Sequence, residues 1–422
     1  VKALSTLLLM VRRSLRHHAL STLVTVTSVA LAVGLTISVF AVTEQTRDAF
    51  TGGRIGFDAV VGARGSPLQL VLNSVYHLET SPGNLPWKVF QELRRDPMVE
   101  TAVPYAVGDN YRGWRIVGTT PELFERIEFR KGQKLSLHEG GRTFDPSRRE
   151  AVIGSTVAAR EGMTVGSAFE AYHGVTTFDP KQRHEGEFTV VGVMQPTNTP
   201  SDRVIFIPIE GVFRMGGHVL RGTGEEFTAK PGEAIPDEAK EVSAVLLKMR
   251  SPAFGLAMAH RINNQGRVAT MAYPIATQVA ELFDKLGWVV RVLEMTAYLV
   301  VVVAAGSILA SLYNTMNERR REFAILRALG ARRSTVFSAI VLESTVIAAI
   351  GCAVGVLVYA GILAAAAVVV KRATGVVLDP WTMHPALWAV PLAMTVLGAL
   401  SGLLPAWNAY RTDVADNLSP TS

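Results

Sequence analysis

Three features of the chain carry residue types able to do chemistry. His173, His184 and Glu185 fall in one stretch, and two imidazoles with a carboxylate are a set that can hold a metal ion. Their spacing follows no tight ligand pattern, so no metal is expected. Glu343 is the one acid well inside an apolar run. Such a group either serves function or sits near a membrane interface beside a basic partner; the overlong run and the nearby arginines favour the second. The segment 317–334, Asn-Glu-Arg-Arg-Arg-Glu-Phe-Ala-Ile-Leu-Arg-Ala-Leu-Gly-Ala-Arg-Arg-Ser, gathers Arg319, Arg320, Arg321, Arg327, Arg332 and Arg333 between two apolar runs. The chain has no GxxxxGK[ST], HExxH, GxSxG or CxxC. It therefore lacks a nucleotide-binding loop, a zinc-protease helix, a nucleophile elbow and a redox pair. No catalytic residue is expected, and the chain is not expected to be an enzyme.

The elements that must position these residues are membrane helices. Of the 422 residues, 49% are hydrophobic and 18% charged, a leaner charge content than the quarter or so of soluble proteins. Four apolar runs, 20–42, 288–316, 335–370 and 385–409, are each long enough to cross a bilayer core of about 20 helical residues. The first is preceded by Arg12, Arg13 and Arg16 and closed by no small-x-small cleavage site, so it is expected to stay as an anchor. Pro385 suits a first helical turn, and Trp381, Trp388 and Trp407 stand at interfacial positions. Segment 335–370 exceeds what a bilayer requires, and projection beyond the lipid or tilt would absorb the excess.

The net charge of +6 has an address. It collects in 1–19, an amphipathic N-terminal segment, and in 317–334, while the tail 410–422 carries Arg411 against Asp413 and Asp416. Basic excess beside apolar helices marks the cytoplasmic side, so the N-terminus and 317–334 are expected there; four spans return the C-terminus to the same side and put 43–287 and the loop 371–384 outside. Nucleic-acid binding is excluded on the same ground, because the basic pieces hug membrane spans. Cys352, the only cysteine, lies in an apolar run and carries no redox information. Gly351 and Gly355 form a small-xxx-small face for close helix packing, within the chain or in a dimer.

The outer segment of about 245 residues has ordinary soluble composition. Strands are expected at 101–108, 114–120, 151–154, 188–194, 204–209 and 242–249, and helices at 86–95, 156–161, 252–263 and 275–286. The helix–strand at 86–108 and strand–helix at 242–263 are expected to pair as an α/β base, with a β-rich insertion over about 111–215. Stretch 68–78 is apolar and nearly uncharged. Its Leu68, Leu70, Val71, Val75 and Leu78 are candidate contacts for an apolar substrate or for lipid; burial against the domain or a twin is the plainer alternative.

Within 317–334, Phe323, Leu326, Arg327 and Gly330 recur at helical spacing, and Gly330 can cap the helix. A short helix there, with apolar and basic faces, suits either docking to a cytoplasmic protein or lying on anionic lipid. This segment, followed by Val341-Leu-Glu-Ser and the glycine-spaced third span, resembles the FtsX-like permease family, the membrane subunits of MacB-type (type VII) ABC transporters. Gly402-Leu-Leu-Pro-Ala-Trp-Asn-Ala-Tyr-Arg-Thr-Asp-Val-Ala-Asp-Asn-Leu418 looks like that family's ending. Ala151-Val-Ile-Gly-Ser-Thr-Val-Ala and Phe188-Thr-Val-Val-Gly-Val-Met resemble the strand motifs of its periplasmic domain.

The resemblance implies an integral membrane α-helical protein with a large α+β periplasmic domain inserted between its first two spans. It implies a permease dimer, homodimeric or heterodimeric with a related permease, in a bacterial inner membrane, with a separate cytoplasmic ATPase binding ATP and Mg²⁺. No cofactor is expected in this chain. Glu322, Phe323, Leu326, Arg327, Leu329 and Gly330 would meet that ATPase. Its closure would pass through the helices to the outer domains, a mode called mechanotransmission, to move a hydrophobic or amphipathic substrate. A periplasmic adaptor is a further candidate partner. The alternative implied is a permease that signals to a periplasmic partner such as a cell-wall hydrolase; the large outer domain favours transport.

Overall fold

The computed structural model describes residues 2–51, 56–130, 132–174, 182–215, 235–318, 325, 327–328, 330–375, 377 and 383–411. They form two units.

The first unit is helical and draws on residues 1–46, 286–368 and 379–422. Hydrocarbon offers backbone groups no partner, so a chain crossing it must satisfy them internally. Four described helices are long and apolar enough to cross a membrane. The first span is Ala19–Thr51, the second Gly287–Glu318 and the third Arg333–Thr374. The fourth is made of Ala386–Ser401 and Leu403–Arg411, with a break at Gly402. Leu299, Val302, Val303, Leu357 and Leu392 are exposed, as residues facing lipid tails would be. An amphipathic helix, Lys2–His17, precedes the first span. It buries Val11 and Ser14 while Arg12, Arg13 and Arg16 stay exposed.

One stripe of small residues organises this bundle. Ser344, Ala348, Gly351 and Gly355 follow one another at helical spacing along the third span, and all are buried. Gly351 and Gly355 lie against the first span. A Cβ on Gly355 would stand 2.8 Å from Val33 Cβ and 2.9 Å from the Ala30 carbonyl, and one on Gly351 would stand 2.5 Å from Val29 Cγ1. Gly398 and Gly402 of the fourth span take the other half of the stripe, against Ala348 and Ser344. The small-xxx-small face is thus an intramolecular contact.

The second unit holds residues 47–285 together with Val369–Leu378. Its strands are β1 (Ala59–Ala63), β2 (Leu85–Pro86), β3 (Val99–Tyr111), β4 (Trp114–Thr119), β5 (Glu128–Arg130), β6 (Gln133–Lys134) and β7 (Glu150–Ile153). There follow β8 (Ala168–His173), β9 (Arg183–Val193), β10 (Val204–Pro208), β11 (Glu241–Val242), β12 (Ala244–Met249) and β13 (Ala269–Ala272). The main sheet runs β13-β1-β12-β3-β4-β10-β7-β9-β8, and β8 returns to pair with β3. β3 therefore belongs to two structures. Its first half pairs antiparallel with β12 in an open α/β base. Its second half, from Ala106 onward and with a bulge between Val107 and Asp109, pairs with β4 and β8 and closes a six-stranded ring.

Both faces of the sheet are covered. Along β10, Ile205 and Ile207 enter one core with Phe90, Phe188 and Met258, while Val204 and Phe206 enter the other with Leu70, Val71 and Met194. This double burial explains why β1 and β10 are apolar throughout and β7 is apolar after Glu150, as strands covered on two faces must be. Helix Pro252–His260 stops short of the expected 263 and continues as a π-helical turn, Arg261–Gln265. β1, β8 and β13 were not among the expected strands.

Glu150, at the start of β7, is buried. It accepts two hydrogen bonds from the Arg142 guanidinium, at 2.6 and 2.5 Å, and one from the Asp145 N–H at 2.8 Å. These bonds, the Arg142 side chain first, hold its carboxyl below the ordinary 4.5. A depressed carboxyl contributes stability above its unfolded pKa and loses it as pH falls through the folded one. Glu150→Gln should therefore lower the thermal midpoint at neutral pH. The gap to wild type should close as pH is taken through and below that ordinary value, a series readable by circular dichroism in detergent.

The glycine stripe gives a second expectation. Gly355→Leu overpacks the span interface and should cost about 1–3 kcal/mol, lowering the melting temperature of the solubilised protein. Gly361→Leu, where an added Cβ meets nothing within 4 Å, should leave it unchanged.

Candidate functional site

The structure distributes the candidate residues over three places. The first is the turn between the second and third spans. The Gly330 N–H donates to the Arg327 carbonyl at 3.0 Å, and Gly330 has φ +97°. This is the left-handed geometry that lets a glycine end a helical turn. Arg327 is half-buried and Gly330 exposed. Glu322, Phe323, Leu326 and Leu329 lie outside the described residues. The third span begins immediately beyond, and the Arg333 guanidinium lies 5.8 Å from the Tyr410 ring centre. Val336 and Ile340 pack with Ala406 and Ala409 of the fourth span. Close above them, Glu343 is 7% exposed and accepts a hydrogen bond from the Ser14 hydroxyl. The amphipathic N-terminal helix thus contributes a partner to the intramembrane acid, one that the charge pattern did not suggest.

The second place is the apolar stretch 68–78. Its helix, Pro67–Ser74, starts where Ser66 accepts from the Gln69 N–H and Pro67 fits the first turn. Leu70 and Val71 are fully buried and Val75 nearly so, in the core that also holds Val60, Leu246 and Val279. Gly62 of β1 leaves the space that the Leu70 side chain fills. The following turn is fixed by Arg115, itself 4% exposed. Arg115 donates to the Asn73 carbonyl and side-chain oxygen at 3.0 and 2.7 Å and to the Glu79 carbonyl at 2.7 Å. Burial, and after it the charges of Arg115 and Arg203, push His77 down to about 3, so its imidazole is neutral. Contact of Leu70, Val71 and Val75 with substrate or lipid is therefore corrected: their apolar face is spent on the domain's own core. Leu68 is half-buried, and Leu78 alone of the five is exposed.

The third place lies in the six-stranded ring. His173 ends β8 and His184 follows the start of β9; both meet Asp109 of β3. His184 Nε2 is 2.9 Å and His173 Nδ1 3.5 Å from Asp109 Oδ1. Glu185 alternates to the other face of β9 and is exposed, so the carboxylate of this cluster is Asp109. No sequence spacing could have pointed to it, because the bulge after Val107 and the β3–β8 pairing supply the approach.

Four apolar helices and one large α/β domain inserted between the first two define a multi-pass membrane protein whose bulk lies in a single inserted domain. Residues 22–245 match the MacB-like periplasmic core domain and residues 295–414 match the FtsX-like permease C-terminal region. The first match alone covers just over half of the chain, and the chain belongs to this family of ABC transporter permeases. Among its relatives is the macrolide export ATP-binding/permease protein MacB of a Shewanella species, 24% identical over 331 residues, or 76% of this chain and 46% of that protein. An uncharacterised ABC transporter permease of Methanocaldococcus jannaschii is 24% identical over 236 residues, 55% of each chain. The chain thus spans about half the length of these relatives. The periplasmic region of MacB from Actinobacillus actinomycetemcomitans superposes with a TM-score of 0.33 at 11% identity, over 55% of this chain and 94% of that one.

Gly330 offers a direct check on the turn. A β-branched residue in the left-handed region costs about 1–2 kcal/mol, which asparagine largely avoids. Gly330→Val should open the turn and speed tryptic cleavage after Arg327, Arg332 and Arg333. Gly330→Asn should cleave at the wild-type rate.

Proposed function

We propose that this chain is the permease subunit of an ABC transporter. A separate cytoplasmic ATPase, holding ATP and Mg²⁺, docks on the turn between the second and third spans, and its closure is carried by the helices to the domain between the first and second. The observation that carries this reading is the third span. It is one unbroken helix of 42 residues, about 63 Å at 1.5 Å per residue, twice the roughly 30 Å of a hydrocarbon core. It starts at the Gly330 turn, and its last residues belong to the unit that contains the large domain. A helix of that length, stiffened by close packing along its small-residue stripe, transmits displacement.

The basic segments around Arg12, Arg13 and Arg16 and around 319–333 support a cytoplasmic position for both termini and the docking turn, in a bacterial inner membrane. Glu322, Phe323, Leu326, Arg327, Leu329 and Gly330 are the proposed ATPase contact. The permease works as a dimer, with itself or a related chain, and a periplasmic adaptor completes the path where an outer membrane must be crossed. Relatives named for macrolide export make amphipathic cargo, taken from the periplasm or outer leaflet, the class to test first.

The test is affinity purification of the full chain from detergent-solubilised membranes of its native host, wild type beside a Leu326→Asp, Arg327→Glu variant. Reversed charge and a buried carboxylate at a docked contact cost at least about 3 kcal/mol. An ATP-binding-cassette protein should accompany the wild type and fall by tenfold or more in the variant, with ATPase activity stimulated by the transported compound. An ATPase in neither sample would overturn the proposal and favour a periplasmic signalling role.

A further inference from the structure

We propose that Asp109, His173 and His184 form a binding site for a divalent transition-metal ion of the zinc class. The donors are one carboxylate oxygen and two imidazole nitrogens on three different strands, all within 4.8 Å of one another. Two separations are 2.9 and 3.5 Å, from Asp109 Oδ1 to His184 Nε2 and to His173 Nδ1. Ligands at zinc bond lengths of 2.0–2.1 Å in tetrahedral geometry stand about 3.3 Å apart. Two of the three separations are therefore close to coordination spacing, and the third lies within 4.8 Å. Imidazole and carboxylate together select the zinc, cobalt and nickel group over calcium or magnesium, which take oxygen ligands.

The surroundings fit an open, accessible site. Asp109 is 1% and His184 8% exposed, whereas the His173 side chain is 45% exposed. Asp109 and His184 form a buried inner wall, and the exposed His173 side leaves room for an ion to enter with a water as fourth ligand.

The position within the fold gives the site a role. The ring closes where β8 returns to β3, and that seam consists of two residue pairs, Asp109 with His173 and Asn110 with Tyr172. The Asn110 side-chain amide donates to the Gly174 carbonyl at 2.8 Å, and the Gly174 N–H donates to the Gly108 carbonyl at 2.8 Å. An ion held by Asp109, His173 and His184 ties β3, β8 and β9 together across this short seam, so metal binding tightens the β-rich half of the domain.

The experiment uses the full chain in detergent, purified without a histidine tag and stripped with chelator. Isothermal titration with Zn²⁺ should give one ion per chain at low-micromolar affinity or tighter. Co²⁺ should give the visible absorption of a four-coordinate site, and Zn²⁺ should raise the thermal midpoint. Asp109→Asn and His184→Gln should each weaken binding at least about tenfold, while exposed His138→Gln should leave it unchanged. Failure of the wild type to take up one equivalent of Zn²⁺ in that range overturns the site without any variant. Uptake that survives both Asp109→Asn and His184→Gln overturns it as well, since the ion would then sit elsewhere.

Discussion

The helical unit depends on how closely the third span approaches its neighbours. Inside a membrane no hydrophobic force drives helices together, so association rests on backbone proximity and dispersion contacts. Ser344, Ala348, Gly351 and Gly355 allow that proximity: a larger side chain at Gly351 or Gly355 would meet Val29, Val33 or the Ala30 carbonyl already in place. Glycines contributed by the fourth span, Gly398 and Gly402, answer the same stripe from the other side. The third span is thereby clamped between two helices, while residues such as Leu357, Val368 and Val369 remain exposed on it. The Ser14–Glu343 hydrogen bond adds a polar contact where the amphipathic N-terminal helix joins this arrangement.

In the large domain the corresponding element is β3. Thirteen residues long, it is at once a strand of the open α/β base and of the closed ring, passing from β12 to β4 between Tyr105 and Ala106. A bulge adds a residue to one strand, bends it and increases its twist. Here the bulge after Val107 lies just inside the ring half, next to Asp109, which meets the two histidines. The base has its own internal order: Gly62 leaves room for Leu70, and Arg115 ties the turn at 73–79 to β4.

Elements with periodic or strongly apolar patterns were legible in the sequence. The four membrane helices stand out by length alone, and helix 86–95 and the strands at 114–120 and 204–209 were found within a few residues of their observed ends. The missed strands have two causes. β1 reads Ala-Val-Val-Gly-Ala and β13 Ala-Thr-Met-Ala; both are short and buried at every position, so neither shows alternation. β8 pairs Phe169 and Ala171 inward with exposed or half-exposed neighbours, but its polar, histidine-bearing end masks the pattern. Stretch 68–78 was misleading for a different reason. An apolar helix reads the same whether its partner is lipid, cargo or the protein's own core, and only the sheet beneath Leu70 and Val71 decides. The Asp109 cluster was half legible, since the two histidines share one stretch of sequence while their carboxylate lies on a distant strand.

The unbroken third span has a geometric consequence of its own. A rod about 63 Å long has no hinge in which an angular change can be dissipated. If one end swings by about 5°, the other moves by about 5 Å, roughly the spacing of neighbouring β-strands. Under the proposed coupling such a shaft would convert a slight rotation into a displacement as large as the gap between neighbouring strands, and any kink introduced along it would shorten the stroke in proportion to the arm it cuts away.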